Sequence, residues 1–229
     1  MFLKITNLAL SFLVFVSFFV INPESSRAEE SELLHLIVLA DISGSLDTED
    51  TNELQALITR IPRFLDNEKL KQSKLSVVAF ASEAEQICQT STIAELELNT
   101  EGYVLCLEKI QASKRNNPNI SKRAENVGID TNQVKAFQKG LEIASLDSEN
   151  YIPVFLLLTD GALDPTGSGG RSQDSINEFD RGFLEVRPEM QKGNVQLFVF
   201  GFGDAILEDL TKWSEFSAQR RSCQEEAPE

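Results

Sequence analysis

The feature that most constrains the fold of this chain is an apolar run, 33–40, that leads directly into the polar segment 41–45. Apolar residues occupy both alternating positions of the run, which is typical of a strand buried on both faces, as in a parallel sheet. Gly44 allows the backbone to turn tightly after such a strand. We therefore predict a central strand whose carboxyl end presents the side chains of the segment 41–45.

Three oxygen-bearing side chains alternate along this segment, Asp41, Ser43 and Ser45. One carboxylate and two hydroxyls suit a hard cation, and Mg²⁺ favours oxygen ligands, keeps several waters and accepts only one or two protein carboxylates. The segment therefore predicts a divalent cation site, with Mg²⁺ as the first candidate. Mn²⁺ and Ca²⁺ remain alternatives, because flexible oxygen sites overlap in metal preference.

The rest of the chain alternates apolar runs with amphipathic stretches, which predicts an α/β protein with a doubly wound, mostly parallel sheet, right-handed crossovers and helices on both faces. A turn at 82–84 predicts a short partner strand for the second strand. The predicted strands are 33–40, 75–81, 85–89, 152–159 and 195–200. Helices are expected at 47–66, 103–110, 132–145 and 207–216, and apolar residues at 176–186 form one further helical face. Pro62 is expected to kink or end the first helix.

The segment 41–45, placed after a buried strand, resembles the first part of the metal-ion-dependent adhesion site of von Willebrand factor type A (VWA) domains. In that family the site is completed by a threonine that opens a later helix and by an aspartate at the end of the fourth strand. The matching residues here are Thr131 and Asp160. The resemblance covers about residues 33–216 and implies a Rossmann-like VWA fold with one antiparallel edge strand.

The resemblance also implies a role for each residue of the site. Ser43 and Ser45 would bind the metal directly, Thr131 directly or through water, and Asp41 and Asp160 mainly through water. A free coordination position would take an Asp or Glu carboxylate from a ligand protein. The implied function is an exported, metal-dependent protein-binding module that acts in adhesion or in the assembly of an envelope complex.

The family usually has a sixth strand and a closing helix, and no pattern after Phe216 matches either. We therefore expect the sheet to end early or to be completed by a partner. The loop at 161–175 follows a predicted central strand, and because open α/β sheets bind ligands at the carboxyl ends of their strands, this loop is the candidate for setting specificity. The polar stretch 112–126, which includes Arg123, is interpreted as a solvated loop.

Two alternatives compete with metal-dependent binding. Thr131 alone would suit a simple helix N-cap, and the domain could be a structural or regulatory subunit that needs no metal. Enzyme functions are disfavoured: an aspartyl-phosphate mechanism at Asp41 needs a second Asp where Ser43 stands, and no Gly-x-Ser-x-Gly motif is present. His35, the only histidine, lies inside the first predicted strand. We expect neither an enzyme nor a small-molecule substrate.

Length and charge support a single exported domain. Residues 1–28 resemble a signal peptide, and 29–229 then form one domain with a polar tail at 217–229. The apolar stretch 8–21 is shorter than the ~20 residues that a spanning helix needs, so the chain would touch a membrane only through an uncleaved segment. The net charge of −15, or −16 without residues 1–28, excludes nucleic acid as a partner. The expected location is periplasmic or secreted.

The chain has three cysteines, Cys88, Cys106 and Cys223. In an oxidising compartment, Cys88 and Cys106 are the nearest pair, and Cys223 is left over. Cys106 would equally suit a buried apolar position on a helix, so the sequence leaves the pairing open.

Overall fold

The computed structural model of the chain describes five stretches and the single residue 68; the stretches are 33–65, 70–112, 123–146, 150–160 and 173–201. The predicted signal peptide, the helix at 207–216, the polar tail, most of the loop at 161–175 and the question of a sixth strand lie outside the described residues. Within them, no helix is both long enough and apolar enough to cross a bilayer.

In the described part of the chain, five strands form one sheet in the order β3-β2-β1-β4-β5. β1 is central and runs parallel to β2 and β4, β5 runs parallel to β4, and β3 is an antiparallel edge strand beside β2. The predicted fold class is therefore confirmed. The strands are β1 (Leu33–Asp41), β2 (Lys74–Phe80), β3 (Ala84–Thr92), β4 (Tyr151–Thr159) and β5 (Gln196–Gly201).

The edge strand β3 is longer than the sequence predicts, because its second half consists of polar residues that carry no apolar pattern. Thr92 is still paired with Lys74, and Ser91 with Leu75. An edge strand needs a partner on one side only, so polar side chains are tolerated there and burial gives no sequence signal.

Among the residues that the structure describes, five helices accompany the sheet: α1 (Thr48–Phe64), α2 (Ile93–Leu98), α3 (Thr100–Leu107), α4 (Gln133–Ser145) and α5 (Gln173–Lys192), with a 3-10 turn at Glu125–Val127. α1 begins with a capping box, in which the Asp47 side chain accepts from backbone N–H groups of the first turn and the Asp50 side chain accepts from the Asp47 N–H. Pro62 lies in the last turn of α1, and the helix ends two residues later at Phe64.

The helices cover both faces of the sheet, and each face has its own apolar core. On one face, side chains of β1, β2 and β4 pack against α1, α2 and α3, and the Tyr103 hydroxyl of α3 donates to the Ile58 carbonyl of α1 over 2.9 Å. On the other face, Ile37 and Leu39 of β1 pack with residues of α4 and α5. Because alternate residues of β1 enter different cores, both of its faces are buried, as its apolar pattern predicts.

Gly140 marks the closest approach of α4 to the sheet. A Cβ atom added at this position would lie 2.8 Å from Cζ of Phe155, a fully buried ring of β4. We expect Gly140→Val to destabilise the fold by about 1–3 kcal/mol, because the buried ring has little room to move. Urea unfolding will measure the change in the free energy of unfolding. Gln138→Val, which introduces the same valine on the exposed side of α4, is the matched control. Equal losses in the two variants would contradict this packing.

Cys88 of β3 and Cys106 of α3 form a disulfide, with their Cα atoms 5.3 Å apart. The structure thus settles the pairing that the sequence leaves open. The bond ties the edge strand to a helix on the face that also carries α1.

Candidate metal centre

Asp41 is the last residue of β1, and both of its carboxylate oxygens are held in place. The Ser43 N–H donates to Oδ1 over 2.9 Å, and the Thr159 hydroxyl donates to Oδ2 over 2.6 Å. Asp41 and Thr159 are both completely buried. The carboxylate is therefore oriented by its own turn on one side and by the end of the neighbouring strand β4 on the other.

The turn after β1 places the two serine hydroxyls together. Oγ of Ser43 and Oγ of Ser45 lie 2.9 Å apart, with Ser43 buried and Ser45 exposed to solvent. Gly44 lies between the two serines in the chain, and its N–H donates to the carbonyl of Ile129 over 2.6 Å. A Cβ atom at position 44 would lie 3.2 Å from that same carbonyl oxygen, so glycine permits the close approach of the two segments.

The segment before α4 is fixed to the strand ends by the β2–β3 turn. The Ser82 hydroxyl donates to the Asp130 carboxylate over 2.8 Å and accepts from the Asp130 N–H over 3.0 Å. The Asn132 N–H donates to the Ala81 carbonyl over 2.9 Å. These bonds and the Gly44–Ile129 bond enclose Thr131, which is buried at the same edge of the sheet as Asp41.

Asn132 is the N-cap of α4, and its side chain accepts from the Lys135 N–H over 3.3 Å. The alternative in which Thr131 serves only as that N-cap is therefore wrong. Thr131 lies one residue earlier and is buried.

Asp160 follows the last residue of β4 and is 8% exposed. The register of β1 and β4 pairs Ala40 with Leu158, so Asp41 and Asp160 both lie at the carboxyl edge of the sheet. Burial, and next the negative charge of Asp160, raise the pKa of Asp41 from 3.8 to about 7, while the bonds from Thr159 and Ser43 act in the opposite direction. In the described part of the chain, no basic side chain is paired with Asp41.

This electrostatic arrangement predicts how pH affects the metal-free protein. Because the folded state binds the Asp41 proton more tightly than the unfolded chain does, the contribution of Asp41 to stability is greatest below its unfolded pKa of 3.8 and is lost as the pH rises through about 7. The free energy of unfolding, measured with urea in EDTA across this pH range, should fall less steeply in Asp41→Asn than in the parent, because asparagine is neutral at every pH. An equal dependence of the free energy of unfolding on pH in the parent and in Asp41→Asn would contradict the prediction.

The site edge contains supporting residues that the sequence analysis misses. Thr159 orients Asp41, Ser82 holds the segment before α4, and Arg123 donates to backbone carbonyls of two site segments. Contrary to the interpretation of 112–126 as solvated, Arg123 is partly buried. Of these residues, only Thr159 could be identified from the sequence, because it stands with Asp160 at the end of a predicted strand. The bonds of Arg123 to backbone carbonyls give no sequence signal.

A model of a known protein family shows the family to which the chain belongs. The model of the von Willebrand factor type A domain matches residues 35–226, which include all five predicted site residues. The chain belongs to the VWA family. The resemblance drawn from the sequence is thus confirmed, and the match continues past residue 216.

Solved structures with the VWA fold show how far the likeness extends. BatB from Bacteroides thetaiotaomicron is 20% identical, with 73% of this chain and 66% of that chain covered and a TM-score of 0.47. Manganese-loaded TRAP protein of Plasmodium vivax is 16% identical, with 86% and 66% covered and a TM-score of 0.50. The pilus adhesin SpaC of Lactobacillus rhamnosus GG is 10% identical, with 83% and 28% covered and a TM-score of 0.56.

At these identities the likeness shows the fold alone. This VWA chain spans about two thirds of the BatB and TRAP structures and less than a third of SpaC. No curated protein matches it significantly in sequence.

The donor chemistry at the edge of this VWA sheet fits a hard divalent cation. The predicted ligands are all oxygen atoms, and the site has two nearly or fully buried carboxylates that repel each other. Across the described stretches, no group of three or more His, Cys, Asp or Glu side chains is placed to hold a metal.

Proposed function

We propose that this chain is an exported, metal-dependent protein-binding module that captures a ligand carboxylate through a divalent cation, with Mg²⁺ as the first candidate. The observation that carries the proposal is the Asp41 carboxylate, completely buried, held at both oxygens and close to the charge of Asp160. Two acidic groups at one buried edge repel each other, and a cation between them would relieve the repulsion.

The proposed ligands are Ser43, Ser45 and Thr131, with Asp41 and Asp160 acting mainly through water. Such a metal, when bound, supplies a positive charge that attracts an external carboxylate. Ser45 is the exposed member of the set, so the site would be approached from its side of the turn. The direction of the Asp41 carboxylate is fixed by hydrogen bonds from the Ser43 N–H and the Thr159 hydroxyl.

The choice of neutral direct ligands has an electrostatic consequence. Hydroxyl oxygens neutralise little of a divalent charge, so a cation held by Ser43, Ser45 and Thr131 keeps a strong attraction for an anion. A ligand protein that presents an Asp or Glu side chain would satisfy it. Coordination of a ligand carboxylate makes and breaks no covalent bond, so we propose a binding function without enzymatic activity.

Two structural neighbours support this proposal. The TRAP structure is manganese-loaded, and SpaC is a pilus adhesin. Domains of this family often bind a divalent cation, and they generally act as interaction modules. An adhesive or complex-assembling role for the present chain is consistent with both neighbours.

The Cys88–Cys106 disulfide supports export, because such bonds persist in oxidising compartments and are rare in the cytosol. It agrees with the predicted signal peptide at 1–28, so we propose that residues 29–229 act as a single domain in the periplasm or outside the cell.

Carboxylate capture can be tested with Mn²⁺ as the probe. We expect the protein to bind Mn²⁺ and enhance water proton relaxation, and a short Gly-Asp-Gly peptide to lower that enhancement by displacing a metal-bound water. A Gly-Asn-Gly peptide, which lacks the side-chain carboxylate, is the control, and both peptides are acetylated and amidated so that neither has a terminal carboxylate. Equal responses to the two peptides would contradict carboxylate capture, and affinity for a protein partner that survives EDTA would favour a metal-independent subunit.

A further inference from the structure

Arg123 makes an unusual set of contacts for a residue in a polar connecting segment. Its guanidinium Nη2 donates to the carbonyl of Ile42 over 2.8 Å and to the carbonyl of Gly128 over 2.6 Å. The side chain is partly buried, and burial lowers the pKa of Arg123. An arginine remains charged in any protein environment, so these are charge-assisted hydrogen bonds.

The two carbonyls belong to different halves of the candidate metal centre. Ile42 lies between Asp41 and Ser43, whereas Gly128 lies three residues before Thr131. Arg123 and Ile42 are 81 positions apart in the chain, so this single side chain joins segments that no local turn could connect. The Gly44–Ile129 backbone bond joins the same two segments nearby.

Among the described residues, Arg123 bonds to backbone carbonyls of the site and to none of its carboxylates. The groups that affect Asp41 are its burial, Asp160, Thr159 and Ser43, and no basic residue is among them. Arg123 is therefore not a counter-ion of Asp41. A planar group with several N–H donors in fixed directions is well suited to holding two carbonyls at a set separation.

We propose that Arg123 is a positioning residue that clamps the segment 41–45 to the segment 128–131, so that Ser43 and Thr131 are held together for one cation. The inference rests on the proposed function, and it adds a residue outside the predicted ligand set. Loss of the clamp would let the two segments separate, and the metal would then have to bring them together at the expense of its affinity.

The first test uses the metal-free protein in EDTA. The Gly44 N–H donates to the Ile129 carbonyl, so its hydrogen exchange reports directly whether the two segments stay in contact. We expect Arg123→Ala to speed this exchange about tenfold or more, because the adjoining clamp is gone. Arg60→Ala, which removes an exposed arginine of α1, is the matched control and should leave Gly44 unchanged.

The second test measures Mn²⁺ affinity by electron paramagnetic resonance at a temperature well below unfolding. Supporting residues around a metal site typically affect affinity about 10–100-fold, and we expect Arg123→Ala to weaken Mn²⁺ binding by that much. Arg123→Lys keeps the charge without the planar fork, so it should fall between the parent and Arg123→Ala. Arg60→Ala should bind like the parent.

The outcomes separate this inference from the function on which it rests. Unchanged Gly44 exchange in Arg123→Ala, or faster exchange with unchanged Mn²⁺ affinity, would overturn the positioning role. Failure of the parent to bind Mn²⁺ would overturn the proposed function, and the exchange measurement would then decide alone whether Arg123 holds the segments together. If Arg123→Ala does not fold, Arg123→Lys provides both measurements.

Discussion

Alanine at Ser43 or Asp160 is expected to abolish the stabilisation that Mg²⁺ or Mn²⁺ gives the parent protein, while leaving the fold in place. A ligand that binds only the folded state stabilises it by about 2.7 kcal/mol at one hundred times its dissociation constant. If Ser43 is a direct ligand and the charge of Asp160 attracts the cation, as proposed, either substitution removes a main part of the metal's binding energy. Thermal unfolding in EDTA and in millimolar metal measures the shift.

The metal-free variants distinguish a functional role from a structural one. Asp160→Ala removes a negative charge that acts on the buried Asp41, so this variant should unfold in EDTA no earlier than the parent. Glu53→Ala, an exposed carboxylate of α1, is the control and should keep the full metal-dependent shift. Early unfolding of both site variants in EDTA would make these residues structural, and a retained shift would remove them from the site.

Removal of the Cys88–Cys106 disulfide is expected to have the other large effect. The two cysteines are 18 positions apart, and closing a loop of this size stabilises a fold by about 3 kcal/mol in the chain-entropy account. Replacing both cysteines with alanine avoids a free thiol and a buried hydroxyl. We expect urea unfolding of this double variant to show a loss of about 2–4 kcal/mol.

A reductant provides the control for the disulfide prediction. It should lower the stability of the parent towards that of the double variant and leave the double variant unchanged. Because Cys88 and Cys106 belong to β3 and α3, and not to the segments 41–45 and 128–131, Mn²⁺ affinity should persist in the double variant. Equal stability of parent and double variant would mean that the bond adds nothing to the fold.

The parts of the fold that the sequence predicts are those with a strong burial pattern. β1 and β4 are buried on both faces, so their continuous apolar runs give their positions nearly to the residue. The same strands deliver Asp41 and Asp160 to one edge, which is why a candidate site can be proposed before the structure is known.

The parts that the sequence does not predict depend on polar or backbone contacts. The short helix α2 has a capping box formed by Thr92 and Glu95 but too few turns to produce an amphipathic pattern. Arg123 bonds to carbonyls, which every residue possesses, so its partners have no sequence signature. The polar composition around it predicts only a solvated loop.

We propose that one divalent cation binds among Ser43, Ser45, Thr131, Asp41 and Asp160. Anomalous X-ray diffraction from crystals grown with Mn²⁺ tests it most directly, because the metal position is seen without any assumption about ligands. We expect one strong anomalous peak at the carboxyl edge of the sheet, within coordination distance of Ser43 and Ser45, and no such peak in Asp160→Ala. A map with no peak at this edge, or with Mn²⁺ bound only elsewhere, would contradict it.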